Sequence, residues 1–414
     1  MKAALYSLVI FLTLGVLASC GGSSSSTPSV PVTGIKKRAL VSNAYNGTLV
    51  IVDAGNDRCI YQGVIVSCGS APSISASSGA SAMTVSKDLT TTLVLGGNRH
   101  AGTGSITVID NATEKATGGI ALLGWTDNVL ISGDDKTAWA PVRNANVGSG
   151  QPLGSLAVAD LTAFSETDVA IPAARRAFLS HNGSKIIVLP DTTTDPSIAN
   201  NVWIYDTAAK TVTGPIAGFD HPAYAAFSSD DSKAYILNCG PECGGTTAGV
   251  NVLDMATNTP GIITPVAGGA TVGLLDSSTL YVAGNAGNTG TLTLVDVSGA
   301  VPVAGTSVSI SDGWHASMAL ASNSKLFIGA TSCTNPAKSC LTIFDTSAKT
   351  AKDVFNTAQP NLGDVTGLQP ISDRSVVYVI EGGELYVYDT TTSDRTSASL
   401  DIVGQAVDVK QIDP

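Results

Sequence analysis

The chain has 414 residues, with 22 Lys and Arg against 33 Asp and Glu, a net charge of −11 and only 13% charged residues. It has no basic surplus to neutralise phosphates, which excludes nucleic acid as a partner. An aromatic content of 5% argues against a stacking-lined sugar site, Trp125 and Trp314 excepted.

At the start of the chain Lys2 precedes an apolar stretch from Leu5 to Leu17, and small residues lead to Cys20. A basic start, a short apolar region and small residues before a cut are a secretory signal, here residues 1–19, too short for a comfortable membrane span. Leu17-Ala18-Ser19-Cys20 resembles the lipobox of bacterial lipoproteins. That resemblance implies a mature N-terminus at Cys20 carrying the lipid, and membrane contact through the anchor alone. Gly21 after the cysteine, rather than Asp, implies the outer membrane in a Gram-negative cell. Residues 20–34 are Gly, Ser, Thr and Pro with little to bury, so a flexible tether is expected there.

Six cysteines remain, in three sequence-local pairs: Cys59 with Cys68, Cys239 with Cys243, and Cys333 with Cys340. Nearest-neighbour disulfides fit an exported protein, although six cysteines leave the connectivity open. A turn at Gln62-Gly63 is needed to bring the first pair together. Zinc is the competing reading, and the absence of tandem C-x₂-C spacing or a nearby His speaks against it.

From residue 35 onward the chain repeats. Short β-branched and aromatic runs, punctuated by Gly, Asp, Asn and Pro, are strands rather than helices. The clearest marker is an acid closing one strand of each unit: Asp53, Asp110, Asp160, Asp206, Asp254, Asp296, Asp345 and Asp389, a mean spacing of 48 residues over seven intervals. A carboxylate at a strand end accepts hydrogen bonds from the N–H groups of its own turn, so a structural role is expected. A period of this length with four strands per unit predicts an all-β fold: one closed β-propeller of antiparallel blades over residues 35–414, eight blades with seven as the alternative. Only the first hairpin lacks a strand before it. Ala406 to Ile412 has the right alternation and no hairpin after it, so it is expected to supply the missing strand and close the ring.

Tyr235-Ile236-Leu237-Asn238 and Tyr281-Val282-Ala283-Gly284, each followed by a loop and a strand ending in Asp, resemble YVTN-type propeller repeats. The turns Ser180 to Lys185 and Ser228 to Lys233 stand where that family has its S-P-D-G turn. The resemblance covers the chain after the tether and speaks for fold more than for function.

In a propeller, the connections between blades open at one mouth of the central channel, beside the loops inside the hairpins. Those connections carry Trp125, Asp127, Arg175, Arg176, Asp220, His221, Asp312, Trp314, His315, Asp364 and Gln405, which together form a candidate ligand site. The bland alternative is ordinary loop polarity, with Asp as a turn residue and Trp as a plug. Of the four histidines, His100 and His181 are expected at opposite mouths, and only His221 and His315 could converge. No nucleophile elbow, H-E-x-x-H, Walker loop, dinucleotide fingerprint, C-x-x-C-H or adjacent cysteine pair is present, so no catalytic residue and no resident cofactor are assigned. A non-catalytic propeller binding a protein or small molecule at the cell envelope is the leading expectation. The alternative is a calcium-dependent, lactonase-like hydrolase or a lyase, for which Asp127, Asp220, Asp312 and Asp364 are oxygen ligands of the right type.

Overall fold

The structure, a computed structural model, describes residues 33–191, 193, 197–335, 339–353 and 363–414. Cys20, the signal segment and nearly all of the expected tether lie outside the described residues.

Apolar runs between polar turns give strands, of which the middle two of each blade are mostly buried and the outer ones largely exposed. Eight antiparallel blade sheets form from them, seven wound in chain order from an inner to an outer strand and the first completed by the last strand of the chain. The first blade pairs Ala406–Gln411 with Arg38–Asn43, then Thr48–Asp53 and Ser73–Ser75. Its innermost strand is therefore the last of the chain, in register from Ala39 opposite Gln411 to Asn43 opposite Ala406. The other blades follow as residues 83–122, 130–170, 174–217, 222–265, 272–310, 314–353 and 365–400. The all-β propeller with eight blades is what the repeat predicts. Seven blades are ruled out, because the first and last hairpins both sit in full four-stranded sheets.

The core is a ring of layers rather than one centre. Each of eight apolar clusters lies between two neighbouring blades. The cluster between blades eight and one holds the most buried residues, sixteen, including Val41, Tyr378, Leu385 and Val409. A single blade exposes two apolar faces, so this ring is what makes each sheet stable.

The marker aspartates all end strands, and all eight accept the N–H two residues on, from Gly55 for Asp53 to Thr391 for Asp389. Backbone hydrogen bonds hold the carboxyls of Asp160, Asp254, Asp296 and Asp389 below the usual range. A second turn recurs at the same end. Ser180 Oγ and Ser228 Oγ accept N–H groups from Lys185 and Lys233, as Ser86 and Ser132 do from Thr91 and Thr137.

Three local disulfides are present, Cys59–Cys68, Cys239–Cys243 and Cys333–Cys340. The first closes a small hairpin, Cys59–Tyr61 with Val64–Val66, whose turn is Gln62-Gly63 with both residues at positive φ. Blade five departs from the regular pattern, its outer strand being split into Thr259–Pro260 and Thr264–Pro265. Proline has no N–H for the ladder, so it interrupts an outer strand at little cost.

Two polar seams accompany ring closure, both at the end of the propeller where the marker turns and both described chain ends lie. Arg38, 5% exposed, donates Nε and Nη2 to the Asp413 carboxylate at 2.7 Å each, and Nη1 to Glu114 at 3.1 Å and to the Asn111 carbonyl at 2.6 Å. Glu114 also accepts from the Thr33 N–H and hydroxyl. On the other flank, Arg374 makes a two-pronged pair with Asp57 at 2.6 and 2.7 Å, and the Tyr378 hydroxyl donates to the same carboxylate.

Candidate functional site

The inner strands stop short at the end opposite the chain termini, leaving a cavity of about 700 Å³ at the upper mouth of the channel. Its walls are the inner-strand residues Ala316, Ser317, Thr366 and Val407, and its rim comes from the connections and hairpin loops. Below it the channel continues as a second space of about 330 Å³, where Asp408 accepts from the Met83 N–H and pairs with Lys410 at 3.0 Å.

Of the eleven mouth residues singled out in sequence, Asp127, Arg175, Arg176 and Trp314 line this cavity. Blade four begins with a β-bulge between Ala174 and Arg176, which lets two successive side chains both reach it. The Arg175 Nε lies 3.0 Å from Asp127, and its Nη1 is 3.8 Å from Asp191. Trp125 turns its Nε1 toward Asp127 at 3.3 Å and, with Arg143, lines an adjoining crevice. Trp314 starts blade seven yet shares a small crevice with Arg175, Arg176 and His221, so the indole reaches across the mouth.

The remaining residues are taken up by neighbouring loops. Asp220 accepts from the Thr246 N–H and hydroxyl and the Thr247 N–H, with His221 Nδ1 3.0 Å from its other oxygen. Burial pushes the Asp220 carboxyl up, but these hydrogen bonds outweigh it and hold the group below the usual range. Asp312 is held in the same way by Thr334 and by the Asn335 N–H. Asp364 accepts from the Ser332 N–H at 2.6 Å, and the Gln405 backbone is fixed to Asn43 and Ala44. Among the described residues, no three His, Cys, Asp or Glu side chains are placed to hold a metal ion.

His221 and His315 do not converge. His315 is fully buried beneath the mouth, with Nε2 3.1 Å from the Ser311 carbonyl and Nδ1 without a partner. Burial lowers its pKa to about 4 from 6.5. The folded state thus takes up its proton later than the unfolded chain does, and His315 contributes stability that declines as pH falls from about 6.5 to about 4. The expected result is that His315→Gln loses less of its unfolding midpoint than the parent over that window. Parallel curves for the two proteins would contradict it.

Several cavity residues escaped the sequence reading. Arg99 lies beside His100 in the hairpin loop of blade two, and Thr193 follows Asp191 in blade four. Glu242 sits inside the Cys239–Cys243 loop and reaches over blade six, where its Oε2 accepts from the Asn285 N–H at 2.9 Å. Gly269 permits that approach, since a Cβ there would collide with the carboxylate. Burial pushes the Glu242 carboxyl up.

No family model matches the chain, and neither does any curated protein. The likeness is to solved propellers. Dihydro-heme d1 dehydrogenase NirN, in complex with DHE, is 13% identical with a TM-score of 0.65, covering 94% of this chain and 78% of its own. Apo AztD from Citrobacter koseri is 12% identical with a TM-score of 0.56, covering 91% and 97%. A functionally unknown protein from Desulfotomaculum acetoxidans is 12% identical with a TM-score of 0.51, covering 91% and 99%. Identities this low establish shared architecture and carry no activity across.

Proposed function

We propose that this protein is a non-catalytic binding propeller of the bacterial cell envelope, lipidated at Cys20, that captures a ligand in the cavity at its upper mouth. The observation carrying this reading is the contrast between two groups of side chains. Arg99, Arg175, Arg176, Glu242 and Trp314, from four blades, border one cavity of about 700 Å³, within the size range of small-molecule sites. By contrast Asp220, Asp312 and Asp364, on which metal-dependent hydrolysis would draw, are engaged by adjacent hairpin loops. Three disulfides and the lipobox-like segment support an exported, oxidising setting.

Two measurements test the reading. Purified protein incubated with an envelope extract and separated by gel filtration is expected to retain a compound detectable by mass spectrometry, and Trp314→Ala to lose it. Calcium-dependent turnover of a lactone or ester, abolished by Asp220→Asn, would replace this reading with the hydrolase. For the anchor, Cys20→Ser is expected to move the expressed protein from the membrane to the soluble fraction.

A further inference from the structure

We propose that the ligand of the upper mouth is a small organic oxyanion, its carboxylate or phosphate group taken by Arg176 with Arg99 and its body lying against Trp314. This rests on the binding reading above and adds the chemical class of the ligand.

The first support is an imbalance among the cations of the mouth. Arg143 is paired with Asp191 at 2.6 Å, and Arg175 with Asp127 at 3.0 Å. Arg176 has no carboxylate within ion-pair distance among the described residues, and its one protein hydrogen bond runs from Nη1 to the Ala223 carbonyl at 3.2 Å. A guanidinium carries five N–H donors in a planar fork, so most of this one's capacity is unused. Arg176 is half-buried at the cavity wall, and burial together with the charge of Arg175 outweighs the nearby Asp127 carboxylate in disfavouring its cationic form. Holding a half-buried cation without a direct carboxylate partner is costly, and proteins ordinarily place a counter-charge beside it. Here the open side of the group is the cavity.

The other walls agree. Arg99 projects from the blade-two loop into the same space with no ion pair among the described residues. Of the two acids lining the cavity, Asp127 is paired with Arg175, and Glu242, its carboxyl pushed up by burial, accepts from the Asn285 N–H rather than pairing with an arginine. Trp314 supplies an apolar surface beside Arg176, suited to the carbon skeleton of an organic acid. A net charge of −11 repels extended polyanions at long range, so the site favours a small anion that can enter a local positive pocket.

The test uses the purified full-length protein in low-salt buffer with four probes: benzoate, citrate, inorganic phosphate and glucose. Unfolding midpoint and tryptophan emission are followed together. Benzoate or citrate is expected to raise the midpoint and change the emission, glucose to do neither, and Arg176→Gln to weaken half-saturation by at least about tenfold. Arg176→Lys, which keeps the charge without the fork, is expected to fall between. Lys36→Gln, an exposed change at the other end of the molecule, is expected to leave the response intact. Equal responses in the parent and in Arg176→Gln, or none to any anion, would overturn the assignment; a response to phosphate alone would overturn its organic part. Retention of a neutral compound from the envelope extract, with no anion response, would overturn this inference while leaving the binding reading standing.

Discussion

A chain lacking residues 406–414 is expected to lose cooperative unfolding altogether. The deleted strand is the inner wall of blade one, and its loss strips one of two strand partners from Arg38–Asn43, every residue of which is buried. Ala406 and Val409 leave the cluster between blades eight and one, and Ile412 leaves the one between blades one and two. Fully burying a side chain of the size of Val or Ile is worth roughly 1.5–3 kcal/mol, before the unpaired backbone and the lost Asp413 contacts are considered. Set against a typical stability of about 5–15 kcal/mol, the deletion removes most of the margin. Circular dichroism melts and limited proteolysis read the outcome: a broad, low-amplitude transition and rapid cleavage are expected. A synthetic peptide spanning residues 400–414, added in trans, is expected to restore protection. A truncated protein with the parent's midpoint would show that the ring does not depend on this closure.

Arg38→Met is expected to cost about 3–5 kcal/mol, the usual penalty for removing one partner of a buried ion pair. The guanidinium is the common partner of Glu114 in blade two and Asp413 in the chain's last residues, with Asn111 as a further acceptor. Once it is gone, Glu114 keeps only its bonds from Thr33 in a site with 2% side-chain exposure. The double change Arg38→Met with Glu114→Gln is expected to recover part of the loss, because a neutral amide oxygen can still accept from Thr33. Denaturant unfolding with an unchanged m-value and a lowered midpoint concentration is the readout. A midpoint within error of the parent would remove the polar seam from the account of stability.

The architecture was legible because its signals are local and repeated. Each marker aspartate needs only its own turn to act, so a single chain shows the period and the strand ends without any knowledge of packing. The closing strand was legible for a related reason: one hairpin lacked an inner partner and one strand lacked a hairpin. The mouth was less so. Asp220, Asp312 and Asp364 have the residue type of a binding site, but type does not reveal whether an adjacent hairpin loop folds onto the carboxylate, as happens at all three. Arg99 and Glu242 reach the cavity because of the length and course of their hairpin loops, which the strand pattern does not encode. A disulfide-tied loop containing an acid, Cys239-Gly-Pro-Glu-Cys243, was the available hint.

Closure by the last strand also sets both described chain ends away from the opening. Arg38 and Gln411 lie at the same end of blade one, while Asn43 and Ala406 lie at the other, beside the arginine-lined opening. Any attachment that enters through the residues before Thr33 therefore grips the molecule from behind. The point of attachment then lies away from the entrance and leaves it free for diffusing solutes.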